Sequence, residues 1–181
     1  MIDINPAKAL PLLITRKRQI TKPVATQDTF KLLDSFDQST WHGLRNHTMV
    51  SLLWALGLRT SELTGLKVRS FETGHGKRIG LLRVRGKNKK QRALFVVDKL
   101  FDELIRYLSH PRAPNKKYAP LFMADTKTTA ISNNRVQRLV KDQAKKAGIV
   151  ADVTPRVLRH SFATEMYHQN VPLSAIQAMI G

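Results

Sequence analysis

Apolar residues recur at helical spacing over most of this chain, and that period constrains its fold more than any other feature. Met49, Leu52, Leu53 and Leu56 stand at i, i+3, i+4 and i+7, one face of a helix over about 44–56 that Gly57 ends. An earlier helix is expected from about Thr26, capped by Thr26 or Asp28, with Phe30, Leu33 and Phe36 as its stripe. Ser61 to Leu66 starts a short helix after a tight corner at Leu58-Arg59-Thr60. The period then changes. Ile79–Arg85 and Arg92–Val97 are β-prone and flank a basic stretch, which reads as a hairpin. Asp98 is expected to cap a helix carrying Leu100, Phe101, Leu104, Ile105 and Leu108. Ser132 or Asn133 opens a long helix with Val136, Leu139, Val140 and Ala144, stopped by Gly148. Thr154-Pro155 opens the next, with Leu158, Phe162 and Met166 inward, and a last helix begins near Pro172 or Ser174. The order predicts a mainly helical α+β domain with a small antiparallel β-sheet or hairpin.

Composition narrows the function. The 181 residues hold 31 Lys and Arg against 13 Asp and Glu, a formal net charge of +18, with 42% hydrophobic residues. That apolar share argues for a folded core, and the charge calls for a polyanion, with nucleic acid the leading candidate. The lack of cysteine excludes a disulfide scaffold, thiolate metal sites and a cysteine nucleophile. Apolar runs fall short of a membrane span, and the start lacks the order of a signal peptide, so a cytoplasmic protein is expected. Residues 1–24, broken by Pro6, Pro11 and Pro23, read as a basic arm, and 25–181 as the folded domain.

Three basic clusters stand out from the general excess. The first is Arg59 in Gly57-Leu-Arg-Thr-Ser-Glu62-Leu63, where a fixed corner can aim a planar guanidinium at an oxyanion, or can simply satisfy helix carbonyls. The second is the hairpin tip with Arg85, Lys87, Lys89, Lys90 and Arg92, suited to a phosphate or a DNA groove, or to plain solvation. The third is Thr154-Pro-Arg156-Val-Leu-Arg159-His160. Arg156 and Arg159 share a helix face, with His160 near it, and two crowded guanidiniums at a helix N-terminus favour an anion between them.

Together these segments resemble the tyrosine recombinases, the phage-integrase and Xer-type site-specific recombinases. Leu158-Arg-His-Ser-Phe-Ala-Thr164, with Ile176-Gln-Ala-Met-Ile-Gly181 after it, is similar to the second signature box, and Gly57 to Leu63 to the first arginine box. Arg85-Gly-Lys87-Asn-Lys-Lys-Gln-Arg92 is similar to the β-hairpin lysine segment, and Lys87 follows Arg59 by 28 residues. The resemblance covers about 25–181 and implies the catalytic-domain fold of that family. It implies DNA strand cleavage and rejoining through a 3′-phosphotyrosine, without metal, ATP or other cofactor. It implies double-stranded DNA as partner and a tetrameric synapse of like chains in the intact protein. By the same resemblance Arg59 and Arg159 clamp the non-bridging oxygens, Lys87 is the general acid, and Glu62 supports the site. Rigid forked donors suit the charge that gathers on those oxygens.

Two departures from the family pattern are visible. Arg156 stands where the second box normally has histidine, and an arginine donates to phosphate but does not shuttle protons near neutral pH. His160 is taken as structural. Tyr107, Tyr118 and Tyr167 all lie upstream of the family's nucleophile position, with Tyr107 and Tyr167 expected beside helical stripes and Tyr118 in a proline-bounded loop. The expectation is therefore a catalytic domain lacking its C-terminal nucleophile segment, inactive as it stands. The alternatives are a recombinase-like DNA-binding regulator without cleavage activity and a basic RNA-associated protein. No His-Glu-x-x-His spacing or phosphate-binding glycine loop occurs. Asp98, Asp102 and Glu103 are read as a helix cap and a solvated face. Arg135, Arg138, Lys141, Lys145 and Lys146 on the long helix are candidates for phosphate contact, or a solvated exterior.

Overall fold

Thr40 decides where the central helix begins. Its hydroxyl accepts from the Gly43 backbone N–H at 3.1 Å, so α2 runs Trp41–Ala55, starting three residues before the apolar stripe shows itself. Around it, in a computed structural model that describes residues 22–74, 76–86, 90–125 and 129–181, lie α1 (Thr26–Asp34), α3 (Thr60–Thr64), α4 (Asp98–Leu108), α5 (Asn133–Lys146), α6 (Pro155–His168) and α7 (Leu173–Ile180). Leu44, Met49, Val50, Leu52 and Leu53 of α2 are buried, and α2 packs against α1, α3, α4 and α6. Among the described residues no helix is long and apolar enough to cross a membrane. The arm up to residue 21, and Lys87 and Lys89 at the hairpin tip, lie outside the described residues.

The sheet has three strands in the order β1 (Phe71–Glu72), β2 (Ile79–Arg85) and β3 (Gln91–Val97), all antiparallel. β2 and β3 pair from Ile79 with Val97 to Arg85 with Gln91. Leu82 and Val84 share the buried face with Leu94 and Val96, while Arg83, Arg85 and Phe95 face outward. β1 went unforeseen because two residues are too few to show a period.

Four local expectations need correction. Ala25, not Thr26 or Asp28, precedes the first turn of α1, and it makes no side-chain cap. The buried face of that helix is Thr29, Leu32 and Leu33, while Phe30 is half-exposed and meets Trp54 edge-on at 5.4 Å. Asp98 is the first residue of α4 rather than its cap. Its backbone has φ +49°, and its N–H still bonds the Arg78 carbonyl, so the chain leaves the β-ladder and enters the helix in one left-handed kink that aspartate tolerates. Tyr167 is exposed instead of packed. Tyr107, by contrast, is fully buried, and its hydroxyl donates to the Leu121 carbonyl at 2.7 Å. Ser132 and Thr154 cap α5 and α6 as their sequences suggest, accepting from the N–H groups of Arg135 and Val157.

Candidate functional site

The corner after α2 is built on Gly57. Its φ of +58° is a left-handed value, and a Cβ there would lie 2.5 Å from Cδ1 of Phe162 in α6. Only glycine lets the corner seat against α6. The close approach also brings the Gly57 carbonyl to the Arg159 guanidinium, which donates to it at 2.7 Å. The first arginine corner and the Arg159 helix are thus joined by one backbone contact.

Glu62 organises the site. It sits in the first turn of α3, where its carboxylate accepts from the Arg59 backbone N–H at 2.8 Å, as a residue at this position of a helix commonly does. Its side chain is only 2% exposed, yet three guanidiniums reach it. Arg92 is bidentate to it at 2.8 and 2.9 Å, Arg59 donates at 3.0 Å, and Arg159 lies 3.9 Å away. Burial alone would raise the carboxyl's affinity for a proton. The hydrogen bond from Arg92, the Arg59 backbone N–H, the Arg92 charge and the Arg59 side chain outweigh it, and the group is held below its ordinary range. Burial and the neighbouring charge of Arg59 pull Arg159 down to about 10, with Glu62 opposing and Arg92 adding to the pull. One carboxylate against three guanidiniums leaves positive charge uncompensated, and such a site attracts anionic or strongly dipolar oxygen.

Backbone oxygens at the end of α7 meet that demand. Arg92 Nε donates to the Met179 carbonyl at 2.7 Å, and Arg59 donates to the Gly181 oxygen at 2.6 Å. The Ile180 carbonyl accepts from both Arg159, at 2.8 Å, and Arg59, at 3.3 Å. Two arginines from elements a hundred residues apart in sequence therefore converge on a single oxygen atom. Beside them opens a concavity of about 400 Å³ lined by Arg59, Gly86, Lys90, Arg92 and Gly181, among others.

The structure gathers Arg59, Glu62, Arg92 and Arg159 in one place, with exposed Lys90 at the rim. It does not bring in Arg156 or His160, which stand exposed on α6 while Arg159 turns inward. Arg85 faces a different groove of about 470 Å³ on the other side of the hairpin, where Lys67, Arg69, Arg83 and Lys117 join it. The sequence reading missed that groove, because its cations come from separate segments and form no run. Arg92 is only 14% exposed in its side chain and braces Glu62, although its place in a charged hairpin suggested a surface residue. Its signal was its register: it pairs with buried Val84 on β2. Among the described residues no group of three or more histidine or acidic side chains could hold a metal ion.

Comparison with known proteins gives consistent matches. The model of the phage integrase family matches residues 23–181. Tyrosine recombinase XerC of Thermodesulfovibrio yellowstonii (strain ATCC 51303 / DSM 11347 / YP87) is 31% identical, with 99% of this chain and 60% of the relative covered. Tyrosine recombinase XerD of Staphylococcus aureus is 30% identical over 85% of this chain and 52% of its own length. The chain thus spans little more than half the length of these curated relatives. Among solved structures, XerA recombinase superimposes with a TM-score of 0.74 at 26% identity, over 88% of this chain and 55% of that one. A lambda integrase dimer bound to a COC′ core site shares the fold at a TM-score of 0.69 and 17% identity, over 99% of this chain and 49% of that one.

Proposed function

The chain belongs to the phage integrase family, and from that premise we propose that its arginine cluster holds a DNA phosphodiester for strand cleavage and rejoining by a tyrosine nucleophile. The observation that carries this reading is the shared acceptor: Arg59 and Arg159 both donate to the Ile180 oxygen. A non-bridging phosphate oxygen needs that geometry, two rigid cationic donors aimed at one atom. In this reading Arg59 and Arg159 clamp the phosphate and Lys87 acts as general acid. Glu62 orients the arginines. Arg92 joins Glu62 in that task, and Arg156 and His160 stand at the DNA-facing rim. Arg85, Lys89 and Lys90 contact the backbone, continued by the groove of Lys67, Arg69 and Lys117. Double-stranded DNA is the partner, like chains assemble around it as a tetrameric synapse in the intact protein, and the cytoplasm is the compartment this requires. Residues 1–24 are a basic arm to that domain. No metal or nucleotide cofactor takes part.

A recombinase-like DNA-binding regulator that does not cut is the second reading, and Arg156 favours it. An exposed arginine at that position supplies charge but no proton shuttle near neutral pH. A covalent protein–DNA adduct on a nicked duplex would eliminate it.

Fluorescence anisotropy with a labelled DNA duplex at fixed salt tests the common core of both readings. Arg59→Ala and Arg159→Ala should each weaken binding about tenfold, the scale of lost charge-assisted hydrogen bonds. Lys145→Ala on α5 should weaken it about twofold or less. Equal losses at all three positions would leave only generic polyanion binding, the property of any strongly basic protein.

A further inference from the structure

In a cavity that shares no lining residue with the one beside the arginine cluster, three buried polar atoms lack any hydrogen-bond partner: His47 Nδ1, Ser51 Oγ and Glu103 Oε2. They are the unpartnered buried side-chain atoms among the described residues, and all three residues line one cavity of about 150 Å³ between α1, α2 and α4. Buried polar groups are almost always paired, so three orphans in one place call for an explanation. The His47 side chain is 5% exposed and Ser51 is 4% exposed, so bulk water does not serve them. Thr48, on the same helix, shows the ordinary alternative, because its hydroxyl donates back to the Leu44 carbonyl at 2.9 Å. Ser51 makes no such bond. Glu103, expected from the sequence on a solvated face, is 12% exposed in its side chain.

We propose that this cavity binds a primary alkylammonium group, with its head on Glu103, His47 and Ser51 and its chain against the apolar wall. His47 Nδ1 and Glu103 Oε2 are 3.7 Å apart, too far for a direct hydrogen bond. A nitrogen set between them can lie about 2.8 Å from each, and the Ser51 hydroxyl, one turn along α2, supplies a third acceptor for the three N–H groups of an ammonium. Burial of the imidazole favours its neutral form, in which Nδ1 can accept. Burial lowers its proton affinity, the Glu103 charge opposes this, Arg106 and Lys99 add to it, and Asp34 opposes it. A neutral guest would satisfy the hydrogen bonds but leave a largely buried carboxylate without an opposite charge in contact. The rest of the lining includes an apolar wall of Phe30, Leu33, Trp54 and Leu100 and the charged Asp34 and Lys99, and a space of this size holds about six non-hydrogen atoms. The edge-on Phe30–Trp54 pair offers aromatic surface to a cation entering at the mouth. The ammonium could belong to a free amine or to a lysine presented by a partner protein.

The test is a two-dimensional NMR titration of the 181-residue chain with n-butylammonium chloride, against choline chloride and sodium chloride at equal ionic strength. Saturable shifts at His47, Ser51 and Glu103, with none at Arg59 or Arg159, are expected from butylammonium alone. Glu103→Gln should weaken that binding at least about tenfold, the scale of losing a charged hydrogen-bond partner, and Ser51→Ala should weaken it less. A parallel titration with Nα-acetyl-lysine methylamide separates the sources: binding at least as tight as butylammonium assigns a partner's lysine, and weaker binding a free amine. Equal response to choline, no saturable response, or indifference to Glu103→Gln would overturn the proposal. So would binding that emerges only in Lys99→Ala, because the chain's own lysine, four residues from Glu103, would then be the occupant.

Discussion

Two regions of this molecule carry dense positive charge, and they differ in what holds it. On α5, Arg135, Arg138, Lys141, Lys145 and Lys146 all point to solvent, and Lys141 has an exposed partner in Asp152 at 3.7 Å. At the corner of α3, β3 and α6, Arg59, Arg92 and Arg159 are drawn round the buried Glu62 and fixed by backbone oxygens. Charge on the first surface is worth little structurally, because water and salt screen it and each side chain keeps its freedom. Charge in the cluster has already lost that freedom on folding. An arriving phosphate would meet donors that are aligned in advance, and this separates a phosphate site from a basic face.

Removing the carboxylate breaks the contrast most severely. Glu62→Gln should destabilise the protein by about 3 kcal/mol in urea unfolding, since it leaves three crowded guanidiniums without their anion. Asp152→Asn beside α5 should change nothing measurable. The same pair has a pH signature. Glu62 is held below its ordinary range in the folded state, so its contribution is complete above the usual carboxylate range and is lost as pH falls through the lowered folded value. The stability gap between wild type and Glu62→Gln should therefore close on acidification.

Gly57→Ala comes next, at about 2 kcal/mol, because a Cβ must displace Phe162 in a left-handed backbone. It should also perturb the Arg159 side-chain resonances, since the Gly57 carbonyl anchors that guanidinium. Arg92→Lys should cost about 1 kcal/mol: lysine keeps the charge but not the two parallel bonds to Glu62. Lys145→Ala is the smallest, within about 0.5 kcal/mol in stability. Its slope of log affinity for DNA against log salt should stay close to that of the wild type, as for a solvated side chain outside the phosphate site.

The same difference explains how much could be read from sequence. Helical periodicity gave away α2, α4, α5 and α6, because a stripe of leucines and valines is a local signal repeated over several turns. Arg59 and Arg159 were legible through the glycine and threonine-proline punctuation around them, which fixes a corner and a helix start. Their meeting on one oxygen was not, since it depends on Gly57 fitting against Phe162 a hundred residues away. Arg92 and Glu103 were misjudged for one reason. Both sit in runs of charge that look solvated, and burial of a charged side chain is decided by the partner facing it in space. Arg92 has Glu62 as that partner, whereas Glu103 faces His47 at 3.7 Å without a hydrogen bond.

The most direct measurement is a titration of the protein with dimethyl phosphate, a minimal phosphodiester, followed through arginine side-chain Nε resonances. Convergence on one phosphate predicts that Arg59 and Arg159 shift together with a single dissociation constant, while Arg135 and Arg138 move only with ionic strength. Separate constants for Arg59 and Arg159, or a response no different from that of the α5 arginines, would contradict it.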